Sequence, residues 1–167
     1  RVAIAKKMDL LYGSSYHPEN EITVTAGATQ AIFTIINTFI KPNDEVIIFK
    51  PAYDSYEPAI KLNGGKTIAV QLRAPNFSVN WGEVKGKINS RTKMIIVNTP
   101  HNPSGMVFSK EDMLQLQEVT NGTDIIVLSD EVYEHMIYDG EKHQSVCLFP
   151  DLKARSFVVA SFCKTFH

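Results

Sequence analysis

The chain has 167 residues, enough for one domain with a sizeable core, and its 44% hydrophobic content excludes a disordered polymer. With 17 basic and 18 acidic residues the net charge is -1, which argues against a nucleic-acid or polyanion binder. Two cysteines, Cys147 and Cys163, cannot build a disulfide framework. No apolar run approaches the ~18 residues of a membrane span and no charged-then-apolar leader is visible, so a cytoplasmic setting is expected.

In chain order, Val2, Ile4, Ala5, Met8 and Leu11 have helical spacing from the first residues. Ile22-Thr23-Val24-Thr25 is a β-branched, strand-like run. Residues 28–39 predict a helix with Ile32, Phe33, Ile36 and Phe39 on one face. After the turn at Pro42-Asn43-Asp44, residues 46–49 predict a buried strand. Residues 56–62 predict a short helix ended by Asn63-Gly64-Gly65. Strands are predicted at 67–72 and 94–97. Ser109, with Asp112 three residues on, predicts a capped helix through Val119. Residues 125–128 and 157–160 complete the strands. The sequence stops at Lys164-Thr165-Phe166-His167 without a turn signal, so a piece of a longer protein is expected.

Strands alternating with helices, with continuous apolar strand cores, predict an α/β fold: a mostly parallel sheet with helices on both faces. Ligands in such sheets sit beyond the carboxyl ends of the strands. Polar side chains cluster there in four places.

The first is Thr25-Ala26-Gly27-Ala28-Thr29, a Gly turn into a helix whose free N–H groups favour a phosphate; taken alone, an ordinary Gly turn before a capped helix is the plainer reading. In Asn98-Thr99-Pro100-His101-Asn102-Pro103-Ser104-Gly105, two prolines restrict the loop and present the Asn102 amide; a rigid turn is the plainer reading. At Ser129-Asp130-Glu131-Val132-Tyr133, a carboxylate after a buried strand needs a cationic or N–H partner; the plainer reading is Asp130 as a helix N-cap. At Ser161-Phe162-Cys163-Lys164, a lysine beside a buried strand end would be desolvated and nucleophilic; the plainer reading is a surface lysine. His101 reads as packed, Trp81 as core or interface, and Cys147 as a small buried apolar residue. His135, His143 and His167 lack metal-ligand spacing with the cysteines, and no metal is expected.

Taken in order, Gly27-Ala28-Thr29, Pro51-Ala52-Tyr53-Asp54-Ser55-Tyr56, Asn102-Pro103-Ser104-Gly105, Asp130-Glu131-Val132-Tyr133 and Ser161-x-x-Lys164 resemble the fold type I, class I/II aminotransferases. The Asn98-to-Gly105 run and the Tyr53-to-Tyr56 segment most resemble the methionine and kynurenine aminotransferase subgroup. The resemblance covers the whole chain. It implies that residues 1–167 are part of the large cofactor-binding domain, with an N-terminal arm and a C-terminal small domain lying outside them. It implies pyridoxal 5′-phosphate as cofactor and amino acids and 2-oxo acids as substrates, methionine or an aromatic amino acid being the expected donor.

The resemblance assigns the roles. Lys164 holds the cofactor as a Schiff base. Asp130 pairs with the pyridinium nitrogen. Tyr133 and Asn102 hydrogen-bond the ring's phenolic oxygen. Tyr53 stacks on the ring, and Gly27, Ala28, Thr29 and Ser161 hold the phosphate. A homodimer is implied, as is a substrate-binding arginine outside this chain, so turnover by these residues alone is not expected. Cys163 departs from the Gly or Ser usual there. Two alternatives share the fold: a carbon–sulfur β-lyase, whose members often carry His in place of Tyr133, and a cofactor-binding regulator without turnover. An unrelated nucleotide-binding domain lacks support, since there is no G-x-G-x-x-G or Walker-type loop.

Overall fold

The structure, a computed structural model, describes residues 1–166. Five strands form one sheet in the order β2-β1-β3-β4-β5. They are β1 (Glu45–Lys50), β2 (Lys66–Gln71), β3 (Thr92–Asn98), β4 (Ile126–Asp130) and β5 (Ser156–Val159). Every pairing is parallel. The helices are α1 (Val2–Tyr12), α2 (Ala28–Phe39), α3 (Tyr56–Leu62), α4 (Trp81–Lys87), α5 (Lys110–Thr120) and α6 (Pro150–Lys153).

The strand period of two divides the core into two layers. Ile47, Phe49, Ile95, Val97 and Val127 pack with Val84 of α4, Met113 and Leu116 of α5, and Leu152 of α6. Val46, Ile48, Met94, Ile96 and Leu128 pack with Ile32 and Ile36 of α2 and with Tyr56, Ala59 and Ile60 of α3. The sheet is therefore covered on both faces, as continuous apolar strands require.

Local chemistry sets the ends. Ser109 and Asp112 exchange cap bonds at α5: the Ser109 Oγ accepts from Asp112 N at 3.1 Å, and Asp112 Oδ2 accepts from Ser109 N at 2.9 Å. Asn80 caps α4 in the same manner, its Oδ1 accepting from Glu83 N. Gly65 has no room for a side chain, because an added Cβ would lie 2.6 Å from Ile40 Cγ2 and 2.9 Å from Ile60 Cγ2.

Two differences from the sequence expectation stand out. Residues 22–25 are not a strand; they run without a ladder partner and Val24 is exposed. Their β-branched side chains express a local preference that no neighbouring strand edge satisfies. Helix α4 was not anticipated, because Gly82 and Gly86 mask a helix whose buried contact is Val84 alone.

These two glycine environments should respond oppositely to alanine. Gly65→Ala should destabilise by about 1–3 kcal/mol through overpacking. Gly86→Ala, where nothing lies within 4 Å of the added Cβ, should stabilise by up to about 1 kcal/mol through helix propensity. Urea unfolding of both variants reads the two signs; equal effects would contradict the packing described here.

Candidate active site

The carboxyl ends of β3, β4 and β5 lie side by side, with Asn98 opposite Asp130 and Asp130 opposite Val159. Main-chain bonds lock that edge. Thr99 N donates to Asp130 O at 3.1 Å, and Glu131 N donates to Val159 O at 2.8 Å. The Asn98 side chain adds a staple: Nδ2 donates to Asp130 O at 2.9 Å, while Oδ1 accepts from Asn102 N at 2.7 Å. It thereby fixes the Asn102 loop to the end of β4, and the Asn102 side-chain amide takes no hydrogen bond among the described residues. Next in this loop, His101 is buried, its Nδ1 2.7 Å from Ser104 Oγ, and burial holds its imidazole below its ordinary pKa.

Asp130 is buried at 4% exposure. Its Oδ2 accepts from the Tyr56 hydroxyl at 2.5 Å and its Oδ1 accepts from Val132 N at 3.3 Å. No ammonium or guanidinium pairs with it among the described residues. Burial pushes its carboxyl above the ordinary carboxylate range, against the pull of the Tyr56 and Val132 bonds. The Tyr56 phenol is itself pushed up by burial and by Asp130, so the shared proton stays on the phenol. Residues 132–135 form turns rather than a helix, so Asp130 is no N-cap.

The turn after Asp130 is anchored from behind. The buried Glu131 carboxylate accepts from Ser129 Oγ at 2.8 Å and Val146 N at 3.1 Å, and meets His143 Nε2 at 2.8 Å. The buried Glu134 carboxylate accepts from Lys7 Nζ and, at 2.5 Å, from the Tyr12 hydroxyl, which fastens α1 to the same turn. Tyr133 is half-buried on this turn, and Lys164 Nζ stands 5.5 Å from the centre of its ring. Across the site, Tyr53 meets Tyr56 edge to face with ring centroids 5.7 Å apart, and its hydroxyl is 3.4 Å from Thr29 Oγ1. Gly27 is the N-cap of α2 at φ 93, with nothing within 4 Å of an added Cβ. Ser161 Oγ lies 2.9 Å from Cys163 Sγ.

The structure thus joins Thr29, Tyr53 and Asp130 through Tyr56, links Asn102 to the end of β4 through Asn98, and sets Tyr133 beside Lys164. Gly27 and Ala28 lie on the turn that carries Thr29. Ser161 lies in the segment between β5 and Lys164. Lys164 is exposed within the described residues, none of which covers the segment after β5. Cys147 is buried, with its Sγ 3.2 Å from the Tyr16 hydroxyl. Trp81 is half-buried in the core layer and donates to Asp112 Oδ1. The sequence reading assigned no role to Tyr56, Asn98, Glu131 or Glu134. Their partners lie 74 residues away for Tyr56 and 32 for Asn98, and no local pattern announces such a pairing.

The pattern of aminotransferase class I and II matches residues 1–167. The chain belongs to this family. Methionine aminotransferase of Escherichia coli (strain K12) is 45% identical over 167 residues, all of this chain and 43% of that protein. A solved Escherichia coli structure described as a methionine aminotransferase superposes with a TM-score of 0.97 at 45% identity, over 99% of this chain and 44% of that one. Cystalysin from Treponema denticola, described as containing a pyridoxal 5′-phosphate cofactor, superposes with a TM-score of 0.90 at 25% identity, over 99% of this chain and 43% of that one. The chain therefore spans less than half the length of these relatives.

The burial of Asp130 sets a pH dependence. A carboxyl raised above its unfolded value favours folding at pH below that value, and the contribution is lost as pH rises through the folded value. In cofactor-free protein, Asp130→Asn should therefore be more stable than the parent at about pH 7, with the advantage gone below the unfolded aspartate value of about 3.9. Urea unfolding at both pH values tests this; a variant less stable than the parent at neutral pH would contradict an uncompensated buried charge.

Proposed function

We propose that the protein carrying this chain is a pyridoxal-phosphate-dependent aminotransferase that moves an amino group from an amino acid to a 2-oxo acid, with Lys164 as the residue that holds the cofactor as a Schiff base. The observation that carries this reading is the buried Asp130 carboxylate, which has hydrogen-bond donors but, among the described residues, no cation. A buried anion of this kind is costly unless a positive group meets it, and a protonated pyridine nitrogen is such a group. The open space at Gly27 and the N-terminus of α2 suit the phosphate on the same side chemistry. The residues present therefore fit the cofactor.

When bound, the group supplies an electron sink for the carbanion left after the donor's Cα loses its proton. The protein's own residues do the rest. Asp130 would keep the ring nitrogen protonated. Tyr53 would stack on the ring, and Tyr133 and Asn102 would donate to its phenolic oxygen. Gly27, Ala28, Thr29 and Ser161 would hold the phosphate. Lys164 Nζ would hold the cofactor and take the Cα proton of the donor. The arginines of this chain lie elsewhere: Arg1 pairs with Glu19, Arg91 with Glu45, Arg155 donates to the Thr123 and Ile125 carbonyls, and Arg73 follows edge strand β2. An arginine for the substrate carboxylate is proposed to come from outside residues 1–166. These residues alone are accordingly proposed to lack turnover, the working enzyme to be a homodimer, and the cytoplasm to be its location, where the two free thiols stay reduced.

Borohydride reduction of the cofactor-loaded, full-length protein should leave the pyridoxyl group on the peptide that contains Lys164. A label on any other lysine rejects the assignment.

The donor is proposed to be methionine or an aromatic amino acid, in line with the methionine aminotransferase relative. Keto-acid formation across a panel of donors should be faster with methionine and phenylalanine than with aspartate. The reverse order would overturn this preference.

A further inference from the structure

Tyr56 opens α3 and is 3% exposed within the apolar layer formed by Ile32, Ile36, Ile48, Ile60, Met94 and Leu128. A phenylalanine would fill that layer equally well, and a hydroxyl buried there is costly unless it has a partner. The partner is Asp130 Oδ2, at 2.5 Å. We propose that Tyr56 is a positioning residue for the proposed cofactor site: its hydroxyl holds one oxygen of the Asp130 carboxylate and keeps that carboxylate ionised against its own burial. The inference rests on the aminotransferase reading given above.

Among the described residues no other side chain takes this part. Asn98 bonds to the main-chain oxygen of Asp130, not to its carboxylate. The Glu131 carboxylate, next in the chain, is engaged by Ser129, Val146 and His143, and its charge works against ionisation of Asp130. From α2 and β3 the layer offers Ile32, Ile36, Met94 and Ile96, all apolar. Tyr53 meets Tyr56 edge to face, Tyr133 packs against the same apolar layer, and Lys164 Nζ stands over the ring of Tyr133 rather than on Asp130. Val132 N–H is the one further donor, at the longer distance of 3.3 Å. Remove the Tyr56 hydroxyl, and burial and Glu131 both favour a protonated, neutral Asp130. A neutral Asp130 no longer holds a ring nitrogen protonated. The edge-to-face contact of Tyr56 with Tyr53 uses only the ring, so phenylalanine would preserve it.

The experiment uses the full-length, cofactor-loaded protein and two substitutions at one position. In Tyr56→Phe, the pH midpoint of the Schiff-base absorbance should rise by about one pH unit, because a less protonated ring withdraws less charge from the imine nitrogen. The kcat should fall about 10-fold while KM for the amino donor changes by less than about 3-fold, the pattern of a lost transition-state contribution. Incorporation of 3-fluorotyrosine at position 56 keeps the ring and makes the hydroxyl a stronger donor, so its midpoint should move the other way. Midpoints unmoved in both proteins, with only thermal stability lowered in Tyr56→Phe, would make Tyr56 a packing residue and overturn the inference. If the parent protein shows no Schiff-base absorbance, the aminotransferase reading and the inference fall together. A normal parent titration with unmoved variants removes the inference alone.

Discussion

A carboxylate kept out of water without a cation is the constraint around which this molecule is arranged. Removing an ion from water costs several kcal/mol even after the protein relaxes, and a hydrogen bond to a charged group returns about 1.5–3 kcal/mol. The bonds from Tyr56 and Val132 to Asp130 therefore offset part of that cost and leave the site favourable to an incoming positive charge. The carboxylate stays in place because its main chain is tied on both sides, to Thr99 and Asn98 from β3 and, through Glu131 N, to Val159 of β5. Slipping β4 by one residue would turn the Asp130 side chain to the opposite face of the sheet.

The polar groups behind Asp130 hold the turn rather than face the site. Glu131 gathers Ser129, Val146 and His143, and Glu134 gathers Lys7 and Tyr12. Two buried acids thus draw in a segment twelve or more residues downstream and the first helix of the chain. Tyr133 sits between them. Its ring is presented toward Lys164 by a backbone that is fixed on either side, and this is how a side chain on a turn is held steadily enough for chemistry. By contrast, Lys164, Cys163 and Phe162 lie beyond an edge strand and are exposed. The half of the site built on β3 and β4 is tied by main-chain and side-chain hydrogen bonds, and among the described residues β5 has β4 as its one strand neighbour.

Much of the fold was legible in the residues. Continuous apolar runs at 46–49, 94–97 and 125–128 announced buried parallel strands, and Ser109 with Asp112 announced a helix start that the structure contains. Those features are short-range: periodicity and capping act within a few residues. The run at 22–25 misled because β-branched composition reports a preference, whereas a strand also needs a partner edge. Helix α4 escaped because its two glycines hide a pattern that a single buried valine and an Asn80 cap suffice to hold.

The site divides along the same line. The sequence by itself determined the fold class, the order of the chemistry-bearing motifs and their positions just past apolar strands, because each depends on residues that are neighbours in the chain. It also carried the family. Only the tertiary structure decided that the donor facing Asp130 is Tyr56, that Asn98 couples the Asn102 loop to β4, and that Glu131 and Glu134 anchor the turn under Tyr133. Those outcomes depend on which surfaces the sheet brings together across tens of residues, and on how much protein covers each one. Contact and burial of that kind are properties of the packed chain, and no local spacing encodes them.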